Sequence, residues 1–376
     1  MVSGTLFEPK LYLVPDLSSI NALSQTNTTI YRTLNQTLYE LCASVEILGK
    51  LALLFAVEHQ LETTVDKLLE TGVSLDTAFN FEFGTESLLH IAAAMGHRAM
   101  VVKLLGLYEE GMAHKRCCLT ALDCAVLKGH LEVVELLASI PCPKKYKGGC
   151  RWRISRRKIK RVPMPEFETD EDYLDLALIN SVEAGHEDIA KFLLSQGAHV
   201  NFLADERGAA SPLWHAVDTG NVEMVQLLLT SGADPNLKDR FGIPPLFKAS
   251  AKDVAQALVS GGANIHAHGN GSQNVLAYVK DQDLLRFFLV LGIDPNHEDD
   301  HNLTPLHFAC DLGKEFVEVL LQFGATTVEK ANWMGRTPMD DAMRMGKAEV
   351  VKLLEPLVQS PSLKEKTATW WKERET

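Results

Sequence analysis

Apolar positions along this chain recur as pairs of short runs, not as long stretches. A first run contains Leu53, Leu89, Leu122, Leu178, Leu213, Leu246, Leu276, Leu306 or Met339. A second follows it, as in Val133-Val134-Glu135-Leu136-Leu137 and Met224-Val225-Gln226-Leu227-Leu228-Leu229. Each run places its apolar side chains on one face at helical spacing, which predicts two short amphipathic helices. Glycine separates them at Gly96, Gly129, Gly185, Gly220, Gly313 and Gly346, with His97, His130 and His186 next in line. A Gly-Ala-Asp-like turn closes the pair at Gly197-Ala198, Gly232-Ala233-Asp234, Gly262-Ala263, Gly292-Ile293-Asp294 and Gly324-Ala325.

The pair repeats. Most steps between the aligned Leu positions are 30 to 36 residues, and only Leu122 to Leu178 is longer. A period of that size marks an array of small units that bury their apolar faces on one another. Thr304-Pro305-Leu306-His307-Phe308-Ala309 is the best-preserved opening. Threonine suits an N-cap, and proline at the first helical position gives up only an N–H that has no partner there. Leu246 to Gly262 and Leu276 to Gly292 span 16 residues against 19 from Leu213 to Gly232. The missing residues fall where the helices join, which predicts shortened first helices in those two units.

These motifs match ankyrin repeats strongly over about residues 48–356. The resemblance implies an all-α solenoid of about nine repeats, each a helix–turn–helix followed by a β-turn finger. It also implies protein–protein recognition, with a protein client held on a concave surface lined by finger tips and first helices. The tips carry Arg207, Arg240, Phe241, His297, His301, Trp333 and Met334. Aromatic and arginine tips are plausible anchors for such a client.

Residues 1–46 lie outside the repeats. Asp16 is a good N-cap before Leu17, Ile20 and Leu23, which share one helical face, and Ile30, Tyr31, Leu34 and Leu38 fit a second helix. The stretch Tyr12 to Leu41 resembles the F-box-like segment that precedes ankyrin repeats in many filamentous-fungal proteins. Where that family opens on a Leu-Pro-x-Glu-Leu-like helix, this chain has Leu6-Phe7-Glu8-Pro9-Lys10-Leu11. The resemblance implies contact with a Skp-type adaptor through Leu17, Ile20 and Leu23, and so a place in a cullin-type ubiquitin ligase. The alternative is a helical cap over the apolar flank of the first repeat.

The resulting organisation is an F-box-like helical segment at 1–46, repeats one to three at 47–140, a basic insertion at 141–172, repeats four to nine at 173–358 and a C-terminal tail at 359–376. The insertion reads as an exposed, mobile loop. The tail, with its Trp370-Trp371 pair, reads as disorder with partial docking.

Charge changes the picture at one place. The chain carries 37 Lys and Arg against 49 Asp and Glu, for a net charge of −12, which argues against general nucleic-acid binding. Ten of those basic residues lie between Lys144 and Arg161, with no acid among them. Lys144-Lys145, a spacer, then Arg156-Arg157-Lys158-Ile159-Lys160-Arg161 has the form of a bipartite nuclear import signal, read by an import receptor as an extended peptide. A solvated basic loop is the plain alternative. The signal supports a second functional reading, a nuclear transcription co-regulator whose repeats hold a transcription factor.

Little else suggests chemistry. The seven cysteines are scattered, which fits free thiols in a reducing, intracellular compartment, nuclear or cytoplasmic. No membrane span and no secretory leader are expected. His297-Glu298-Asp299-Asp300-His301 spells the zinc-protease string, but that string binds metal only on a helix. Here it aligns with a finger, with Asn302 at the position of Gly242, where left-handed backbone is tolerated. His90 and His307 fall at a repeat position, and no nucleophile–base pair stands out. The sequence therefore predicts no enzyme activity, no catalytic residue, no cofactor and no metal.

Overall fold

The computed structural model describes residues 36, 38–75, 79–81, 84–107, 120–140, 150–155, 158–163, 170–204 and 210–375. At 79–81, 84–86, 150–155, 158–163, 170–172 and 375 it describes only backbone. The chain divides into two compact units: Met1–Ala125 with Tyr146–Pro165, and Val126–Lys145 with Glu166–Thr376.

In the first unit a helical stretch at 38–44 leads into α1 (Glu46–Glu58) and α2 (Glu62–Glu70). A two-stranded hairpin, β1 (Phe79–Phe81) with β2 (Gly84–Glu86), precedes α3 (Leu88–Ala94) and α4 (Arg98–Leu107). Then α5 (Ala121–Lys128) begins. Leu53, Leu68, Leu89, Leu104 and Leu122 are almost completely buried, each worth about 1.5–3 kcal/mol against exposure. The turn histidine His97 reaches across repeats, its Nδ1 3.0 Å from the Val57 carbonyl.

The basic insertion departs from the loop reading. Cys150–Ser155 (β3) and Lys158–Pro163 (β4) pair antiparallel, in a register running from Cys150 opposite Pro163 to Ser155 opposite Lys158. The physical reason is in the sequence: Trp152, Ile154, Ile159 and Val162 are strand formers interleaved with the charges, and Ile154 faces Ile159 across the ladder.

The second unit is a helical solenoid. Its elements are α6 (Leu131–Ala138), α7 (Asp170–Ala184), α8 (Glu187–Ser195), α9 (Pro212–Thr219) and α10 (Val222–Thr230), then α11 (Lys252–Ser260), α12 (Gln282–Val290), α13 (Pro305–Leu312), α14 (Lys314–Gln322), α15 (Pro338–Arg344) and α16 (Ala348–Leu354). First helices stack on first helices, as α7 on α9 and α13 on α15, and second helices on second helices, as α8 on α10 and α14 on α16. Leu178, Leu213, Leu246, Leu276, Leu306 and Met339 are all buried at the aligned position. The joining glycines are left-handed, with φ of 79° at Gly185 and 76° at Gly220.

In the two short repeats the first helix shrinks to single 3-10 turns, Pro245–Lys248 and Val275–Ala277. Too few residues remain to close an α-helical turn and still reach the second helix. Between several repeats an asparagine acts as a clasp. Asn236 donates to the Gly262 carbonyl at 3.2 Å and accepts from the Asn264 N–H at 2.7 Å. Asn296 does the same with Gly324 and Thr326.

The tail corrects the expectation of disorder. Pro361–Glu375 is a helix, α17, docked on the last repeat. Leu363, Thr367 and Trp370 are buried along one side, and the Trp370 indole N–H donates to the Met343 carbonyl at 2.9 Å. Arg374 lies over the Trp370 ring, 3.8 Å from its centroid. These few side chains seal the end of the stack and leave the charged positions of the helix in water.

Candidate partner-binding site

The fingers are built by one repeated device. The carboxylate of Asp239 accepts the N–H groups of Phe241 and Ile243, both at 2.9 Å, and Gly242 turns the chain at φ 74°. Asp299 accepts from His301 and Leu303, both at 2.8 Å, with Asn302 in the turning position at φ 54°. Asn332 accepts from Met334 and Arg336, and Gly335 turns at φ 71°. The alignment of Asn302 with Gly242 thus holds in the backbone. Each device is an Asx-type turn that satisfies its own main chain and thrusts two side chains outward.

Those outward pairs are Arg240 with Phe241 and Trp333 with Met334. Phe241 is 57% exposed, Trp333 63% and Met334 45%. The Arg240 guanidinium lies 4.7 Å from the Phe241 ring centroid, a cation–π contact that holds both side chains at the tip. Neighbouring fingers are tied by main-chain bonds: Asp300 N–H to the Gly271 carbonyl and Trp333 N–H to the His301 carbonyl, both 2.9 Å. The His301 and Trp333 rings stand 6.1 Å apart, so His301, Trp333 and Met334 form one patch.

His297 is placed differently. It is half-buried between fingers, with Nε2 2.6 Å from the Ser272 carbonyl and its ring stacked on His268 at 5.0 Å. The string His297–His301 runs through a finger, and its two histidines face different neighbours. Glu298 pairs with Lys330 at 2.7 Å, and buried Asp299 is committed to the turn. Among the described residues no group of three or more His, Cys, Asp and Glu is placed to hold a metal ion. Cys310 is a buried free thiol, and burial pushes its pKa well up.

The repeat-position histidines have a structural task. The Thr304 N–H donates to His307 Nδ1 at 3.1 Å, so the proton sits on Nε2, which donates to the Arg336 carbonyl at 3.2 Å in the next repeat. At other repeats Asp takes this place: Asp123 accepts from the Thr120 N–H and hydroxyl, and Asp340 from those of Thr337. His307 is therefore the third residue of a capping box.

Trp214 escaped the sequence reading. It stands where His307 stands but cannot cap, and Lys248 lies 4.8 Å from its ring centroid. An aromatic replacing a capping residue was the available signal. Next to it, His215 pairs with Glu183 of the preceding repeat at 3.1 Å.

Other proposed residues are not brought to this patch. Arg207, Leu17, Ile20, Leu23, Lys144, Lys145, Arg156 and Arg157 lie outside the described residues. Lys158, Lys160 and Arg161 lie in β4, whose backbone is paired with β3. Among the described residues no helix is long and apolar enough to cross a membrane.

A family model described as ankyrin repeats in three copies matches residues 53–146, 165–239 and 273–360, more than half the chain. An ankyrin repeat protein of fowlpox virus is 33% identical over 125 residues, covering 33% of this chain and 22% of that protein. The human mitochondrial disaggregase is 32% identical over 194 residues, 48% of this chain and 26% of that protein. The Arabidopsis thaliana E3 ubiquitin-protein ligase KEG is 30% identical over 171 residues, 42% of this chain and 10% of that protein. The chain thus spans about a quarter or less of each relative's length, and these matches indicate no catalytic family for it. Stacked helix pairs, left-handed joining glycines, Asx-turn fingers and the family match converge: the chain belongs to the ankyrin-repeat family and is a protein-interaction scaffold.

Proposed function

We propose that the chain is a substrate-recognition adaptor: its fingers hold a protein client, and its N-terminal segment joins a cullin-type ubiquitin ligase through a Skp-type adaptor. The observation that carries the client half is the set of exposed tips, Arg240 and Phe241 on one finger and His301, Trp333 and Met334 on two later, adjoining fingers. Large rigid side chains there gain contact area at low entropic cost, which is the chemistry of interface hot spots. The ligase half draws on the F-box-like resemblance of Tyr12 to Leu41, with Leu17, Ile20 and Leu23 as the adaptor contacts. A relative named as an E3 ubiquitin-protein ligase is in keeping with it.

The test is proximity labelling in cells with the full chain and two variants. Phe241→Ala with Trp333→Ala should lose the client and keep the adaptor. Leu17→Asp with Ile20→Asp and Leu23→Asp should lose the adaptor and keep the client. Equal labelling by all three forms would refute the proposal.

A second reading, a nuclear co-regulator holding a transcription factor, is supported by the ten basic residues between Lys144 and Arg161. An import receptor reads an extended peptide, so Lys158, Lys160 and Arg161 would have to leave their strand pairing first. Nuclear fluorescence that persists after Arg156-Arg157-Lys158 are changed to alanine would count against this reading.

A further inference from the structure

The first repeat has an apolar face that the later repeats lack. Ile47, Leu51 and Phe55 stand four residues apart along α1, and so share one side of the helix. They are 70%, 39% and 52% exposed. Leu41 and Val45 just before α1 are exposed as well. Phe55 stands two residues after the aligned Leu53. At that place the following repeats carry Ile91, Cys124, Asn180 and His215, all buried. His215 shows what normally covers the position, since it meets Glu183 on the first helix of the preceding repeat. The residues immediately before α1 carry no repeat pattern.

We infer that residues 17–34 of this same chain are the occupant of the Ile47–Leu51–Phe55 face. Leu17, Ile20 and Leu23 offer an apolar stripe, and Ile30, Tyr31 and Leu34 offer a second. The segment is joined directly to the helical stretch that feeds α1, so docking it closes only a short loop. A stack of repeats needs a cap at each end with apolar inner and polar outer faces. The far end has one in α17, which buries Leu363 and Trp370 and turns its lysines and glutamates to water. The segment directly before α1 would supply the corresponding cap at the near end. A second copy of the chain is the rival occupant. This inference does not depend on the ligase reading; where both hold, a Skp-type adaptor has to displace Leu17, Ile20 and Leu23 from α1 in order to bind them.

The test uses the full chain with the photo-crosslinking residue p-benzoylphenylalanine at Phe55. Irradiation should join position 55 to peptides from residues 12–34 within one molecule. Crosslinks between two molecules, or none to that segment, would overturn the inference. A second measurement covers a failure of that variant: amide exchange in Glu46–Glu58 should rise about tenfold or more in Leu17→Asp with Ile20→Asp and Leu23→Asp, while exchange in Pro305–Leu312 stays unchanged. Unchanged exchange in α1 would likewise reject it.

Discussion

His307 donates its Nε2–H to the carbonyl of Arg336 at 3.2 Å, tying the first helix of one repeat to the finger that leads into the next. Its other nitrogen accepts the Thr304 N–H, so both ring positions are used by the neutral form. Burial holds the imidazole pKa below its ordinary value of 6.5. The unfolded chain therefore takes up this proton at higher pH than the folded one. Its contribution to stability is whole above about 6.5 and drains away as pH falls toward the folded value. His307→Gln keeps an N3 side chain able to cap and should flatten that part of the curve. Urea unfolding at steps from about pH 7 to 5 measures it; a slope equal to that of the parent chain would assign the acid sensitivity elsewhere.

Gly129 and Gly232 are both left-handed, at φ 79° and 93°. A Cβ at Gly129 would sit 2.7 Å from His186 Cε1, whereas one at Gly232 would meet nothing within 4 Å. Gly232→Ala should cost about 1–2 kcal/mol from backbone strain alone, and Gly129→Ala more. Adding His186→Ala should remove the excess at Gly129, which a double-mutant cycle reads directly.

Much of this was legible because the repeat states its own grammar. The aligned Leu positions are buried wherever they occur, and the two short repeats show the shortened first helices that their length demands. The tail was not legible, for a physical reason. Its docked side is Leu363, Thr367 and Trp370, only two of them apolar, set among charged residues, so no amphipathic stripe stands out. The hairpin in the insertion was hidden by its charge: strand formers alternate with Arg and Lys, and the charge run drew the reading toward a loop. The tip patch was half legible. Arg240, Phe241, Trp333 and Met334 project as the finger phase implies, but His297 does not, because its ring finds His268.

Asp299 is the anchor of its finger. Asp299→Ala removes the acceptor for His301 and Leu303 N–H and for the Gln273 amide, and should cost about 2–3 kcal/mol by denaturant unfolding.

Asn302→Gly should be nearly neutral, within about 0.5 kcal/mol, because glycine accepts φ 54° without strain. Asn302→Val at the same place should cost about 2 kcal/mol. Equal stability of the two variants would show that the finger relaxes out of its left-handed turn.

Trp370→Ala should release α17. The lost packing and the lost bond to Met343 amount to about 3 kcal/mol. Amides of Pro361–Glu375 should then exchange at the rate of unstructured chain while those of α13 keep their protection.

The fingers are joined to one another by backbone atoms, through Asp300 to Gly271 and Trp333 to His301, and their turns are fixed by Asp239, Asp299 and Asn332. The side chains proposed to meet a partner are therefore not the ones that hold the frame. Substitutions at the tips leave these bonds in place, so the chemistry displayed there is free to vary while the stack itself stays still.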